Sequence, residues 1–220
     1  MTALAGIAIV ARFAVRLPRA RVRPRAHPAL GRVPVIAPQP YSSRRLAYAA
    51  LLVAVGLTGA YAESIPNFES LTLVAFCAGV LLGARDGALV GATTMLLYTL
   101  LNPYGPAPPV VMLAQVLGNL VAGLAGAAFA RASGPRWSIR ARAAVLAVVA
   151  VVLTAFYDLV TNVATGLVFG QMRYWLVAGI PFSLWHIGFN VALFAALGTP
   201  LTAVLARYGE RLSASSSPAA

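Results

Sequence analysis

Long apolar stretches dominate this chain, and the few polar residues within them fall at regular spacing. Residues 46–62, 87–130 and 174–206 contain no Asp, Glu, Lys or Arg. Runs of that length predict membrane-spanning helices, the longer ones folded as hairpins. Six spans fit the pattern, at about 45–62, 68–84, 87–101, 109–130, 143–166 and 182–206. Gly83-Ala84-Arg85-Asp86-Gly87 predicts a tight polar turn between the second and third, and Asn102-Pro103-Tyr104-Gly105-Pro106 closes the third. Pro109 suits the first turn of the fourth, and Gly170 to Pro181 reads as an outer loop. The second and third spans are short for a bilayer, which predicts tilt or an incomplete crossing.

Three pairs of hydrogen-bonding residues interrupt the later spans: Gln115/Asn119, Asp158/Asn162 and His186/Asn190. Four-residue spacing puts both members of a pair on one helix face. Polar groups facing lipid are costly, so such faces turn toward a bundle interior or a cavity. The chain is therefore expected to be an all-α integral membrane protein, a six-helix bundle with one shared polar pocket.

Composition agrees: 60% of residues are hydrophobic and 10% charged. The net charge of +12 does not indicate a nucleic-acid surface, because the arginines are not spread over a soluble fold. Nine of them precede residue 46, mixed with prolines. Residues 1–43 are expected to be a disordered cytoplasmic arm, either resting on anionic lipid or idle. Its apolar start is too short to span, and its charges follow that stretch, the wrong order for a secretory signal. Residues 44–207 form the expected membrane domain, and 208–220 a flexible tail.

Arginine placement gives the expected orientation. With the amino terminus inside, sixteen of the seventeen arginines are cytoplasmic and only Arg173 lies outside. The positive-inside rule then places both termini in the cytoplasm. At about 1.5 Å per residue, Gln115 and Asn119 lie roughly 9 and 15 Å below the outer end of their helix. Asn162 and Asp158 lie roughly 6 and 12 Å down theirs, as do His186 and Asn190. All three pairs occupy the outer half, which predicts a pocket open to the outside.

Asp158 is the acid well inside a late span, and His186 is a candidate ion partner for it. The amides of Gln115, Asn119, Asn162 and Asn190 suit a ring edge or an amide. Tyr157, Trp185, Phe189 and Tyr104 are candidates for stacking on a flat ligand. Tyr174, Trp175 and Phe182 read as an interfacial aromatic belt. The bland alternative is that the polar pairs only hold helices together. Gly79/Gly83 and Gly87/Gly91 suggest tight packing of the second and third spans. Ala47, Ala50 and Ala54 form a small-residue face on the first span, open to another helix.

Some chemistries have no support. Lysine is absent, so neither a GxxxxGK[ST] phosphate loop nor a lysine Schiff base exists. Cys77, the single cysteine, reads as a buried small apolar residue. Asp158 and His186 are the available metal ligands besides His27 in the arm, and no HExxH or CxxC occurs, so neither a metal nor a cofactor is expected. No GxSxG elbow or nucleophile–base pair proposes catalysis.

Several loop motifs resemble a known family. Ile65-Pro66-Asn67-Phe68-Glu69, the Gly83–Gly91 turn (GARDGALVG), Asn102–Gly105 (NPYG) before Pro108-Pro109, and Gly179-Ile180-Pro181-Phe182 resemble substrate-binding S components of energy-coupling factor transporters. The resemblance covers roughly residues 44–207. It implies a bacterial cell-membrane subunit that captures a vitamin or related micronutrient from outside. Partner chains, a transmembrane coupling subunit and two ATPases, would supply the energy, and the whole subunit would topple to release its cargo. In the family an AxxxA motif on the first helix docks the coupling subunit, which Ala50 and Ala54 match. An amide-rich pocket favours a largely neutral, hydrogen-bonding molecule over an anion, such as cobalamin, a deazapurine precursor or another ring-containing vitamin. The alternatives are a membrane enzyme using Asp158 and His186, and a non-transporting scaffold.

Overall fold

The computed structural model describes residues 43–62, 69–133 and 137–214. The expected arm over residues 1–43 lies outside them except for its last residue, as do residues 215–220 of the expected tail. The helices are α1 (Ser43–Tyr61), α2 (Leu71–Leu82), α3 (Ala84–Leu100), α4 (Pro109–Ala132), α5 (Ile139–Phe169), α6 (Met172–Ala178), α7 (Ile180–Leu193) and α8 (Thr199–Ala214). A π-helical turn, Phe194–Gly198, joins α7 to α8. No strand occurs among the described residues.

Among the described residues, three helical runs are long and apolar enough to cross a membrane: Pro109–Ala132, Ile139–Phe169 and Ile180–Leu212. Their exposed faces carry Leu113, Leu117, Leu124, Val148, Val152 and Leu159, a pattern suited to lipid contact. Among the described residues, seven continuous helical runs stand where the sequence pattern predicted six. The extra one is α6, inside the segment expected to be a loop. Gly170 and Gln171 have left-handed backbones at φ 74° and 57°, which ends α5. The following Met-Arg-Tyr-Trp-Leu-Val-Ala contains no helix breaker, so a short helix restarts at once. At the far end, α8 runs on to Ala214, past the expected limit at 207.

The shortness of α2 has a clear cause. Its twelve residues rise about 18 Å, less than a bilayer core. Every one except Val74 is buried, so α2 faces protein rather than lipid. A helix apolar on all sides belongs inside, and α1, α3, α4 and α8 surround it. Phe76 anchors this interior, fully buried, with ring centroids 5.5 Å from Phe129 and 5.3 Å from Phe194.

Glycines let α2, α3 and α4 approach to backbone contact. A Cβ on Gly79 would run into the Gly123 carbonyl, and one on Gly87 into the Gly79 Cα. Likewise Gly91 lies against the carbonyl of Asn119, and Gly126 against that of Phe76. The predicted packing of the second and third spans thus extends to the fourth. Gly83 plays a different part: nothing lies near it, and its φ of 88° makes the turn from α2 to α3. Across that turn, Arg45 Nη2 pairs with Asp86 Oδ2 at 2.7 Å and also donates to the Leu82 carbonyl, tying α1 to it.

Two glycines test this packing with opposite signs. Gly123→Ala forces backbones apart and should lower stability in detergent by about 1–3 kcal/mol. Gly188→Ala on α7, where a Cβ meets nothing, should raise it by up to about 1 kcal/mol through helix propensity. Thermal unfolding of the two variants checks the contrast; equal effects would mean that the close approach is not rigid.

Candidate functional site

The polar residues of five helices converge where α2 begins. Glu69 precedes α2 and accepts hydrogen bonds from the Thr72 backbone N–H (3.1 Å) and the Thr72 hydroxyl (2.7 Å). This caps the helix with a carboxylate, favourable at a helix amino terminus. From α7, His186 presents both ring nitrogens to carboxylates. Nδ1 lies 2.9 Å from Asp158 Oδ1 on α5, and Nε2 lies 3.3 Å from Glu69 Oε1. One turn on, Asn190 donates to Thr154 Oγ1 (3.1 Å) and to Glu69 Oε1 (3.4 Å).

Beside this cluster lies a cavity of about 200 Å³, lined by Glu69, Tyr98, Gln115, Asn119, Tyr157 and His186 among others. Gln115 is held by the Thr99 hydroxyl, which donates to its Oε1 at 2.9 Å. Tyr157 stands edge-on to the His186 ring at 6.0 Å, and Gly118 leaves room for it, since a Cβ there would strike the tyrosine ring. Asn119, His186 and Asn190 are buried.

The structure thus brings two of the three polar pairs together intact. Gln115 and Asn119 both line the cavity, while His186 and Asn190 both reach Glu69. The third pair divides. Asp158 joins the cluster, but the Asn162 amide packs against Gly179, between α6 and α7. Tyr157 lines the cavity. Trp185 does not: it is 55% exposed, because its neighbour His186 takes the inward position and successive helical residues point about 100° apart. Tyr104, expected to be available for stacking, is 98% exposed. Tyr174, Trp175 and Phe169 form a ring cluster at α6, with centroids 5.6 and 6.0 Å from Trp175.

Sequence reasoning missed Glu69, Thr72, Tyr98 and Thr154 as members of this site. Glu69 had a signal, its place in the Ile65–Glu69 motif beside a predicted span. Thr72 and Thr154 had none, since threonine in an apolar helix usually bonds its own backbone.

Catalysis finds little support in the cluster. Both nitrogens of His186 are engaged by carboxylates, which leaves none facing a nucleophile. Nor do the carboxylates and imidazole converge on a common point: the ring lies between them, and no metal-binding group of three His, Cys, Asp or Glu exists among the described residues. On α1, Ala47, Ala50 and Ala54 are exposed.

A family model described as the substrate-specific component of ECF transporters matches residues 44–198. The chain has no significant match among curated proteins or among solved structures. The family comprises transporter components that bind substrate, not enzymes. With more than half the chain matched and apolar helices able to cross a membrane, the chain belongs to the substrate-specific components of energy-coupling factor transporters and is a substrate-binding transporter subunit.

Proposed function

We propose that the cavity beside Glu69 and His186 is the capture site for a vitamin-like micronutrient taken from outside the cell. The observation that carries this reading is the convergence of Glu69, Gln115, Asn119, Tyr157 and His186 on one cavity. Polar residues serving only as helix glue would pair off and leave no space. Asp158 and Asn190 buttress the wall through His186 and Glu69, while Asn162 and Trp185 stand outside it. At about 200 Å³ the cavity is smaller than the roughly 300–1,000 Å³ typical of drug-sized ligands. It suits a single-ring head group and disfavours a corrinoid.

The subunit works, on this reading, as six spans with both termini in the cytoplasm of a bacterial cell. The basis is the sixteen-to-one arginine split. The polar cluster then lies toward the outside and the Arg45–Asp86 pair toward the inside. Ala47, Ala50 and Ala54 present a small-residue face, flanked by exposed Leu46, Leu51 and Val55, on which a transmembrane coupling subunit would pack. A groove of about 410 Å³ beside it, lined by Ala49, Ala50, Val53 and Leu89, gives room for a partner side chain. Two ATPases on separate chains would drive the cycle.

Two substitutions separate capture from coupling. Asn119→Ala should weaken binding of the co-purifying small molecule, identified by mass spectrometry, by roughly 5- to 100-fold, from about 1–3 kcal/mol for a lost buried hydrogen bond. Thermal unfolding should show a folded protein; simple loss of folding would favour the scaffold. Ala50→Leu should abolish cellular uptake while leaving binding by the purified subunit unchanged. Normal uptake in that variant would remove α1 from the coupling role.

A further inference from the structure

The charge of the cluster is unbalanced, and the imbalance says what the cavity takes. His186 meets Asp158 through Nδ1 at 2.9 Å and Glu69 through Nε2 at 3.3 Å. Each contact needs a proton between nitrogen and oxygen, and a neutral imidazole carries only one. The trio therefore holds two shared protons. Two carboxylates contribute −2 and the doubly protonated ring +1, leaving −1, and moving either proton onto a carboxyl group does not alter the sum.

Among the described residues lining the cavity, nothing basic besides His186 offsets this charge. Apart from His186 itself, the lining side chains are neutral or acidic. Residues 63–68, outside the described set, contain Glu63 and no arginine by sequence. Arg173 is exposed on α6. An uncompensated buried charge is expensive, more so at membrane depth.

The unsatisfied atoms agree in kind. Asp158 Oδ2 and Asn190 Oδ1 are buried and accept no hydrogen bond from the described residues. Both are acceptors, so the cluster lacks donors as well as positive charge. Tyr98 and Tyr157 add aromatic surface to the cavity wall, and aromatic faces attract cations.

We propose that the cavity binds a small organic cation, a flat single-ring head bearing N–H donors of the amidinium or protonated aminopyrimidine kind, seated against Glu69. The proposal rests on the cavity being the capture site. It also revises the preference for a neutral ligand drawn from the amides alone, because Glu69 was absent from that account. Cation, carboxylate and tyrosine complement each other here, whereas an anion would meet net negative charge and no arginine.

Three near-isosteric probes of charge +1, 0 and −1 test it: benzamidinium, benzamide and benzoate. Thermal unfolding of the detergent-purified full chain should show stabilisation by benzamidinium of several degrees and none by benzoate. Glu69→Gln and Asp158→Asn should each remove most of that shift, and the second leaves the α2 cap untouched should the first fail to fold. Equal or better stabilisation by benzamide or benzoate overturns the cation class and leaves the cavity as a ligand site. If none of the three stabilises, the cation proposal fails. The capture reading is then judged separately, by whether Asn119→Ala loses the co-purifying molecule.

Discussion

Everything in this fold is built outward from a helix that has no outside. Because α2 is enclosed, its neighbours have to be accommodated at backbone distance, and glycines at 79, 87, 91, 123 and 126 supply that accommodation. Helices in such contact have little freedom to slide, since there are no side chains between them to re-pack. The consequence reaches the polar cluster directly. Glu69 is the cap of α2, so its carboxylate stands wherever the enclosed helix starts. Gly91 rests on the carbonyl of Asn119, so the same contact sets the height of an amide in the cavity wall.

The cluster is correspondingly composite. Glu69, Asp158, His186 and Asn190 come from three separate parts of the chain, and His186 meets Glu69 across 117 positions. The side chains bond to one another but leave Asp158 Oδ2 and Asn190 Oδ1 without a donor among the described residues, and the low local dielectric strengthens every bond that is made and penalises every one that is not. Polar groups are held in place around the cavity, while small side chains stay exposed on α1.

How much of this was legible in the chain depended on the range of the interaction. Gln115/Asn119 and His186/Asn190 could be read because a four-residue period is local, and both pairs do share a face. The Asp158/Asn162 pair obeyed the same period yet parted, because α6 folds back and places Gly179 against the Asn162 amide. No local pattern announces that fold-back: Gly170 to Pro181 is bounded by glycine and proline, too short for a span, and reads as a loop. Glu69 was the costliest omission. An acid at the edge of a span resembles any outer-loop acid, and only tertiary closure reveals that it faces a histidine. The apolar run of α2 was legible as a helix, but its burial on every side depends on neighbours whose glycines lie far along the chain.

The π-helical turn between α7 and α8 has a consequence for timing along the helix. In a regular α-helix a step of four residues overshoots a full turn by about 40°. His186, Asn190, Phe194, Gly198 and Thr202 are nevertheless all buried, although four such steps would carry the last about 160° away from the first. The wider turn at Phe194–Gly198 admits an extra residue and sets the rotation back by roughly 100°. It works as a phase correction. His186 lines the cavity, Phe194 packs onto Phe76, and one inward line serves both. The two halves are thereby geared together, so that a twist applied at the α8 end would turn His186 relative to its carboxylates.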